Sequence, residues 1–308
     1  MTPLETAILR TVLYADVFRF PLTTEEIHHF LIHDEPVTYA HIEYTLQHSV
    51  PLQRMLIRQR GYVIRAGRAD LIDEREQRDA ASKRLWPLAL RYGRWLGRLP
   101  FVRMVALTGA LAMRNAADAT DDLDYLLVTA PNRVWLARAF AILLVRLVKL
   151  RGVVICPNYV LAENAMEQEQ KDLFIAHEIA QMIPLYGHAH YWQFRQINRW
   201  ASDHLPNADE PFYLTHDRPD SRVWRLVKLL LEKLLGGKVG DRLERWEYRR
   251  KLVRFAAEAQ NSPHAAVQLD ESRVKGHFND YGHPVLRQYR QRLREYGLEE
   301  IPLAAPGD

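Results

Sequence analysis

Two aspartates one residue apart, Asp122-Leu-Asp124, lead into the apolar run Tyr125-Leu-Leu-Val128. Side chains two apart on a strand share a face, so the two carboxylates would point together. Paired carboxylates are costly unless a cation or a proton compensates them. Hard oxygen ligands of this kind suit Mg²⁺ (or Mn²⁺) holding substrate phosphates. Upstream, Val102 to Leu107 is β-prone and ends at Thr108-Gly109, after which Ala110-Leu-Ala-Met-Arg114 can begin a short helix. A glycine there lets a phosphate approach the backbone, and a helix start offers it N–H groups. Asp122 and Asp124 are therefore the candidate catalytic and metal-holding residues, with Gly109, Ala110 and Arg114 on the nucleotide side. The chemistry of such a set is nucleotidyl transfer, in which metal ions position a triphosphate, neutralise charge on the leaving pyrophosphate and activate a hydroxyl.

Val105-Ala-Leu-Thr-Gly109-Ala110, eleven intervening residues, then Asp122-Leu-Asp124-Tyr resembles the signature of the DNA polymerase β-type nucleotidyltransferase superfamily. Trp135-Leu-Ala-Arg138 and Cys156-Pro-Asn-Tyr-Val160 extend the resemblance to a bacterial branch that joins such a domain to an N-terminal winged-helix-like region. The resemblance implies a transferase moving a nucleoside monophosphate from an NTP to an acceptor. The chain departs from the pattern twice. Ala110 stands where the superfamily has Ser or a second Gly, which removes a phosphate-binding hydroxyl. The strand expected at Val153 to Leu161 lacks the third carboxylate of active members, leaving Asn158, Glu163 and Glu178 as candidates for the third polar group. A catalytically degenerate nucleotide- or nucleic-acid-binding regulatory module is the alternative.

The elements that must position these residues follow from periodicity and punctuation. Thr2 can cap a helix through Leu4, Ile8 and Val12, with Pro3 and Glu5 in its first turn. After Pro21, Thr23 or Thr24 starts a second helix containing Ile27, Phe30 and Leu31, and Thr38 a third with Ile42 and Leu46. Met55-Leu-Ile-Arg and Tyr62-Val-Ile-Arg, separated by Gln59-Arg-Gly61, predict a hairpin. The expected organisation is α+β: a winged-helix-like unit over 1–68, a connecting helix over 69–100, a small mixed-sheet nucleotidyltransferase core over 101–165 and a helical region over 166–308. That last region would cover the nucleotide cleft. The helix Tyr39 to His48 carries no Lys or Arg, which disfavours DNA reading by this unit, although Arg54, Arg58, Arg60 and Arg65 make the wing basic.

Composition excludes several classes. The chain has 308 residues, 48% hydrophobic and 26% charged, with 14 Gly and 16 Pro, which is globular rather than disordered or fibrous. One cysteine, Cys156, forms no internal disulfide, and no secretory leader opens the chain, so a cytoplasmic setting is expected. Val134 to Leu150 is interrupted by Arg138, Arg146 and Lys149 and predicts a buried helix rather than a membrane span, so no membrane partner is expected. A net charge of +4 is mild, but Arg222 to Arg254 holds 11 basic and 4 acidic residues, and Arg287, Arg290, Arg292 and Arg294 follow. RNA or DNA could be gripped there, continuing through Arg249, Arg250 and Lys251. The apolar spacing of Val223, Leu226, Val227, Leu230, Leu231 and Leu234 predicts a core helix with a solvated basic face. His177-Glu178-Ile-Ala-Gln181 lacks the second histidine of a zinc protease motif. His188 and His190 read as surface residues and Cys156 as an inert thiol, and the role of the polar group His277, Asp280 and His283 is not legible.

Overall fold

The computed structural model describes residues 1–216, 219–260, 268–275 and 282–299. His277, Asp280 and the loop at 261–263 lie outside them. The protein is mixed α+β, with two sheets and a run of C-terminal helices.

The N-terminal unit begins with helix α1 (Pro3–Val17), capped by Thr2 in a reciprocal box with Glu5. Strand β1 (Leu22–Thr23) leads into α2 (Thr24–His29), which Thr23 and Glu26 cap in the same way. Helix α2 stops at His29, so Phe30 and Leu31 are buried in the segment after it rather than on it. Helix α3 (Tyr39–His48) is capped by Thr38, and a further short helix, α4 (Val50–Met55), follows. Strands β2 (Leu56–Gln59) and β3 (Tyr62–Arg65) form the hairpin, with Arg60 at φ +55° and Gly61 at φ +83°. Left-handed conformation at both central residues matches the twist of the flanking strands. Strand β1 adds to the far side of β3, giving the order β1-β3-β2. Three of the arginines expected to make the wing basic are paired within the chain: Arg58 with Glu43, Arg60 with Asp73 and Glu76, and Arg65 with Asp16 and Glu295.

Helix α5 (Leu71–Gly97) runs unbroken through Pro87 and packs across the second sheet. That sheet contains β4 (Val102–Leu107), β5 (Leu123–Thr129) and β6 (Ile155–Ala162), with the single-turn helix α6 (Gly109–Ala112) and helix α7 (Val134–Lys149) between them. The segment after residue 165 is not helical throughout. Strand β7 (Ile183–Tyr186) pairs with β4, and β8 (Gln268–Leu269) and β9 (Arg273–Lys275) extend the edge of β6, giving the order β7-β4-β5-β6-β9-β8. Only β5 and β6 run parallel among the described strand pairs.

One face of this sheet, with Met104, Leu126 and Leu161, shares a continuous core with α1 and α2, with α8 (Leu173–Ala180) and α9 (His188–Ile197), and with α12 (Gly282–Glu295). The other face, with Val105, Tyr125 and Leu127, packs on α5 and α7. The N-terminal unit therefore buries its apolar surface against the sheet. Ion pairs fasten it, among them Arg75 on α5 to Glu26, with both side chains almost wholly buried, and Arg292 on α12 to Asp16.

The remaining helices, α10 (Arg222–Leu235) and α11 (Lys238–Gln260), lie on the outside. Helix α10 is not a core helix, because the leucines and valines expected to be buried face away from the protein. Lys228 faces inward instead, donating to the carbonyls of Gly97 and Val102 and to the Tyr186 hydroxyl. Among the described residues, no helix is long and apolar enough to cross a membrane.

Candidate functional site

The site forms where β4 and β5 meet. Their antiparallel register sets Leu107 opposite Tyr125, and the Thr108 N–H donates to the Asp124 carbonyl at 3.0 Å. The chain then turns at Gly109 with φ +67°, a conformation that L residues rarely adopt, and a Cβ there would collide with Asp124 Oδ2. Gly109 is thus required both for the turn and for the closeness of the carboxylate.

Strand β6 supplies the neighbours from the other side. Its parallel register sets Cys156 beside Asp124, and oxygen or sulfur atoms of Asp122, Asp124 and Cys156 lie within 4.8 Å of one another. The register then shifts, pairing Tyr125 with Pro157 and Leu126 with Tyr159, so Asn158 is the extra residue of a β-bulge. Bulges re-aim side chains, and here Asn158 Nδ2 donates to Asp124 Oδ1. Its other atom, Oδ1, is buried without a hydrogen-bond partner. The two adjacent carboxylates supply hard oxygen donors of the kind that suit a divalent cation such as Mg²⁺ or Mn²⁺.

The electrostatics are dominated by burial and by the closeness of the acidic groups. Burial, then the neighbouring Asp122 charge, pushes Asp124 up from 3.8 to about 7, against the lowering effect of the Asn158 hydrogen bond. Burial also raises Glu178 to about 7, opposed by Lys275 and by the hydrogen bond from Gln181. Cys156 is pushed up to about 12 by burial and by both aspartates, so it holds its proton and offers a neutral thiol.

Asp122, Asp124, Gly109, Ala110, Asn158 and Glu178 all border one chamber of about 690 Å³. Two other sequence-derived candidates do not. Arg114, itself at φ +51°, turns back to stack on Tyr213 (4.3 Å) and Trp86 (5.7 Å) and lies 3.9 Å from Asp79. Glu163 follows the far end of β6, seven residues beyond Cys156, and its carboxylate sits 3.3 Å from His190. His188 bonds the Thr215 carbonyl at 3.1 Å.

Sequence reasoning missed the chamber's far wall. Tyr14, from α1, stacks on His177 of α8 with ring centroids 3.9 Å apart, and its buried hydroxyl has no hydrogen-bond partner. Phe18, Phe20 and Phe30 of the N-terminal unit line the same space as Phe174 and Ile179. No local pattern announces this wall, because its residues come together only when α1 docks on α8. The closeness of Cys156 to the aspartates likewise depends on a strand pairing across more than thirty residues.

The chain matches no family model, no curated protein and no solved structure.

Proposed function

We propose that the protein is a Mg²⁺- (or Mn²⁺-) dependent nucleotidyltransferase of the polymerase β type, transferring a nucleoside monophosphate from an NTP to an acceptor hydroxyl. The observation that carries this reading is the meeting of Asp122 and Asp124 at the Gly109 turn, with Asn158 donating to Asp124. Asp122 and Asp124 would hold the metal ions, and Asn158 would orient the Asp124 carboxylate. When bound, the cations supply charge neutralisation for the triphosphate and activation of the acceptor hydroxyl. Gly109 and Ala110 leave the backbone open to phosphate. Glu178, poised near neutrality, suits a general base. The element order α1, β1, α2, α3, α4, β2, β3 supports a winged-helix-like reading of the N-terminal unit, although its aromatic face lines the chamber and the wing residues Arg58, Arg60 and Arg65 are paired within the chain. The chamber walls favour a compact acceptor with an apolar body and a hydroxyl over an RNA strand.

A second reading, a degenerate nucleotide-binding module, is favoured by one observation: the third position on β6 is the neutral Asn158 rather than an acid. One experiment tests both. Mg²⁺ with an NTP should raise the thermal midpoint of the wild type, because a ligand that binds only the folded state stabilises it. The pair Asp122→Asn and Asp124→Asn should abolish that rise. Pyrophosphate release with candidate hydroxyl acceptors marks the enzyme, and a rise without release marks the module. A rise that survives in the double variant would remove the site from consideration.

A further inference from the structure

Helices α10 and α11 carry a charge arrangement that the nucleotide site does not use. Three of their acids are engaged by the body of the protein and a fourth is buried within α11. Glu232 accepts from Arg103 and from the Phe101 N–H, and Asp241 accepts from Arg133. Glu244 accepts from the N–H groups of Trp135 and Leu136, capping α7, and Glu247 is buried with Arg250 and Lys251 beside it. These acids thus face inward beside Leu235 and Tyr248, while most of the apolar residues of α10 face out, which is the reverse of an ordinary surface helix.

The outward faces carry what remains. On α10, Leu226, Leu230 and Leu234 are 60%, 65% and 72% exposed, with Val223 beside them. On α11, Val239, Trp246 and Val253 are similarly exposed. Around them Arg222, Arg225 and Lys233 on α10, and Lys238, Arg242 and Arg249 on α11, are exposed as well. Long aliphatic side chains together with a tryptophan and a rim of cations match the two layers of an anionic lipid surface, acyl chains below and headgroup charges above.

We propose that this face binds reversibly to membranes containing anionic lipid, with the axes of α10 and α11 lying along the surface. The charge distribution selects this occupant. A second copy docked face to face would set cations against cations once the acids are turned inward. A nucleic-acid backbone would engage the arginines and leave the leucines in water.

Flotation of the full chain with phosphatidylcholine vesicles, with and without phosphatidylglycerol, tests the proposal. The protein should float with the anionic vesicles and stay in solution with the neutral ones. Leu230→Glu with Leu234→Glu should lower the partition by about tenfold or more, since each leucine loses its buried area. Arg242→Gln with Arg249→Gln keeps the apolar face and should weaken binding by about fivefold for each charge removed. These side chains are exposed, and circular dichroism is the check that the variants fold. Equal flotation with both vesicle types, or none with either, overturns the proposal. So does sedimentation showing a dimer that the leucine variant dissociates. Binding of a single-stranded RNA oligonucleotide that the arginine variant loses and the leucine variant keeps, without flotation, would assign the face to nucleic acid.

Discussion

Replacing Asp124 with asparagine should stabilise the metal-free protein, and the gain should depend on pH. The folded protein raises this carboxyl from 3.8 to about 7, mainly by burial and then by the adjacent Asp122. A raised folded-state value means that the folded state binds the proton more tightly than the unfolded chain. The stabilising contribution is therefore fully present below about pH 4 and is lost as pH rises through about 7. Each pH unit of displacement corresponds to about 1.36 kcal/mol, which sets a ceiling of about 4 kcal/mol at pH 8. Solvent reaches the site through the chamber, so about 2 kcal/mol is the expected gain for Asp124→Asn at that pH. Near pH 4 the two proteins should be equally stable. Urea titrations of both in a chelating buffer, repeated across this range, give the difference curve directly. A pH-independent difference, or a less stable variant at about pH 8, would refute the reasoning. Added Mg²⁺ should reverse the order, because the cation rewards only the protein that keeps both carboxylates.

Gly109→Ala should cost about 1–2 kcal/mol for the left-handed backbone alone, and the new methyl group would displace Asp124 Oδ2. The thermal response to Mg²⁺ and NTP should fall further than the basal midpoint does. Arg75→Met leaves Glu26 buried without its partner at 2.9 Å and should lower stability by about 3–5 kcal/mol. Because Arg75 also donates to the Arg114 carbonyl, the double change with Glu26→Gln should recover part of that loss but not all of it, as read by denaturant titration.

Much of the site was readable because its determinants are local. The alternation of Asp122 and Asp124, the glycine before them and the threonine caps at Thr2, Thr23 and Thr38 each depend on residues within a few positions. Asn158 and Glu178 were named as candidates, but the bulge that turns Asn158 toward Asp124 is a property of strand register rather than of composition. Arg114 and Glu163 misled for the same reason, since Tyr213 and His190, far away in sequence, claim their side chains. Helix α10 shows a different limit. Its amphipathic period is plain in the sequence, but periodicity does not say which face meets the protein. Here the acceptors at Gly97, Val102 and Tyr186 hold the Lys228 side inward. Strands β7 and β9 are only four and three residues long, too short to interrupt a helical reading.

The position of β9 has a consequence for biosynthesis. A ribosome releases β4, β5 and β6 in quick succession, but the strand that flanks β6 on its outer side emerges more than a hundred residues later. Until then the nascent chain holds an apolar strand with one row of amides and carbonyls unmatched, open to pairing with any other chain. Closure waits for Arg273 to Lys275, so this ladder belongs to the slow, non-local kind of folding. A chain stalled before residue 273 should be the species that chaperones hold and that aggregates when they are depleted.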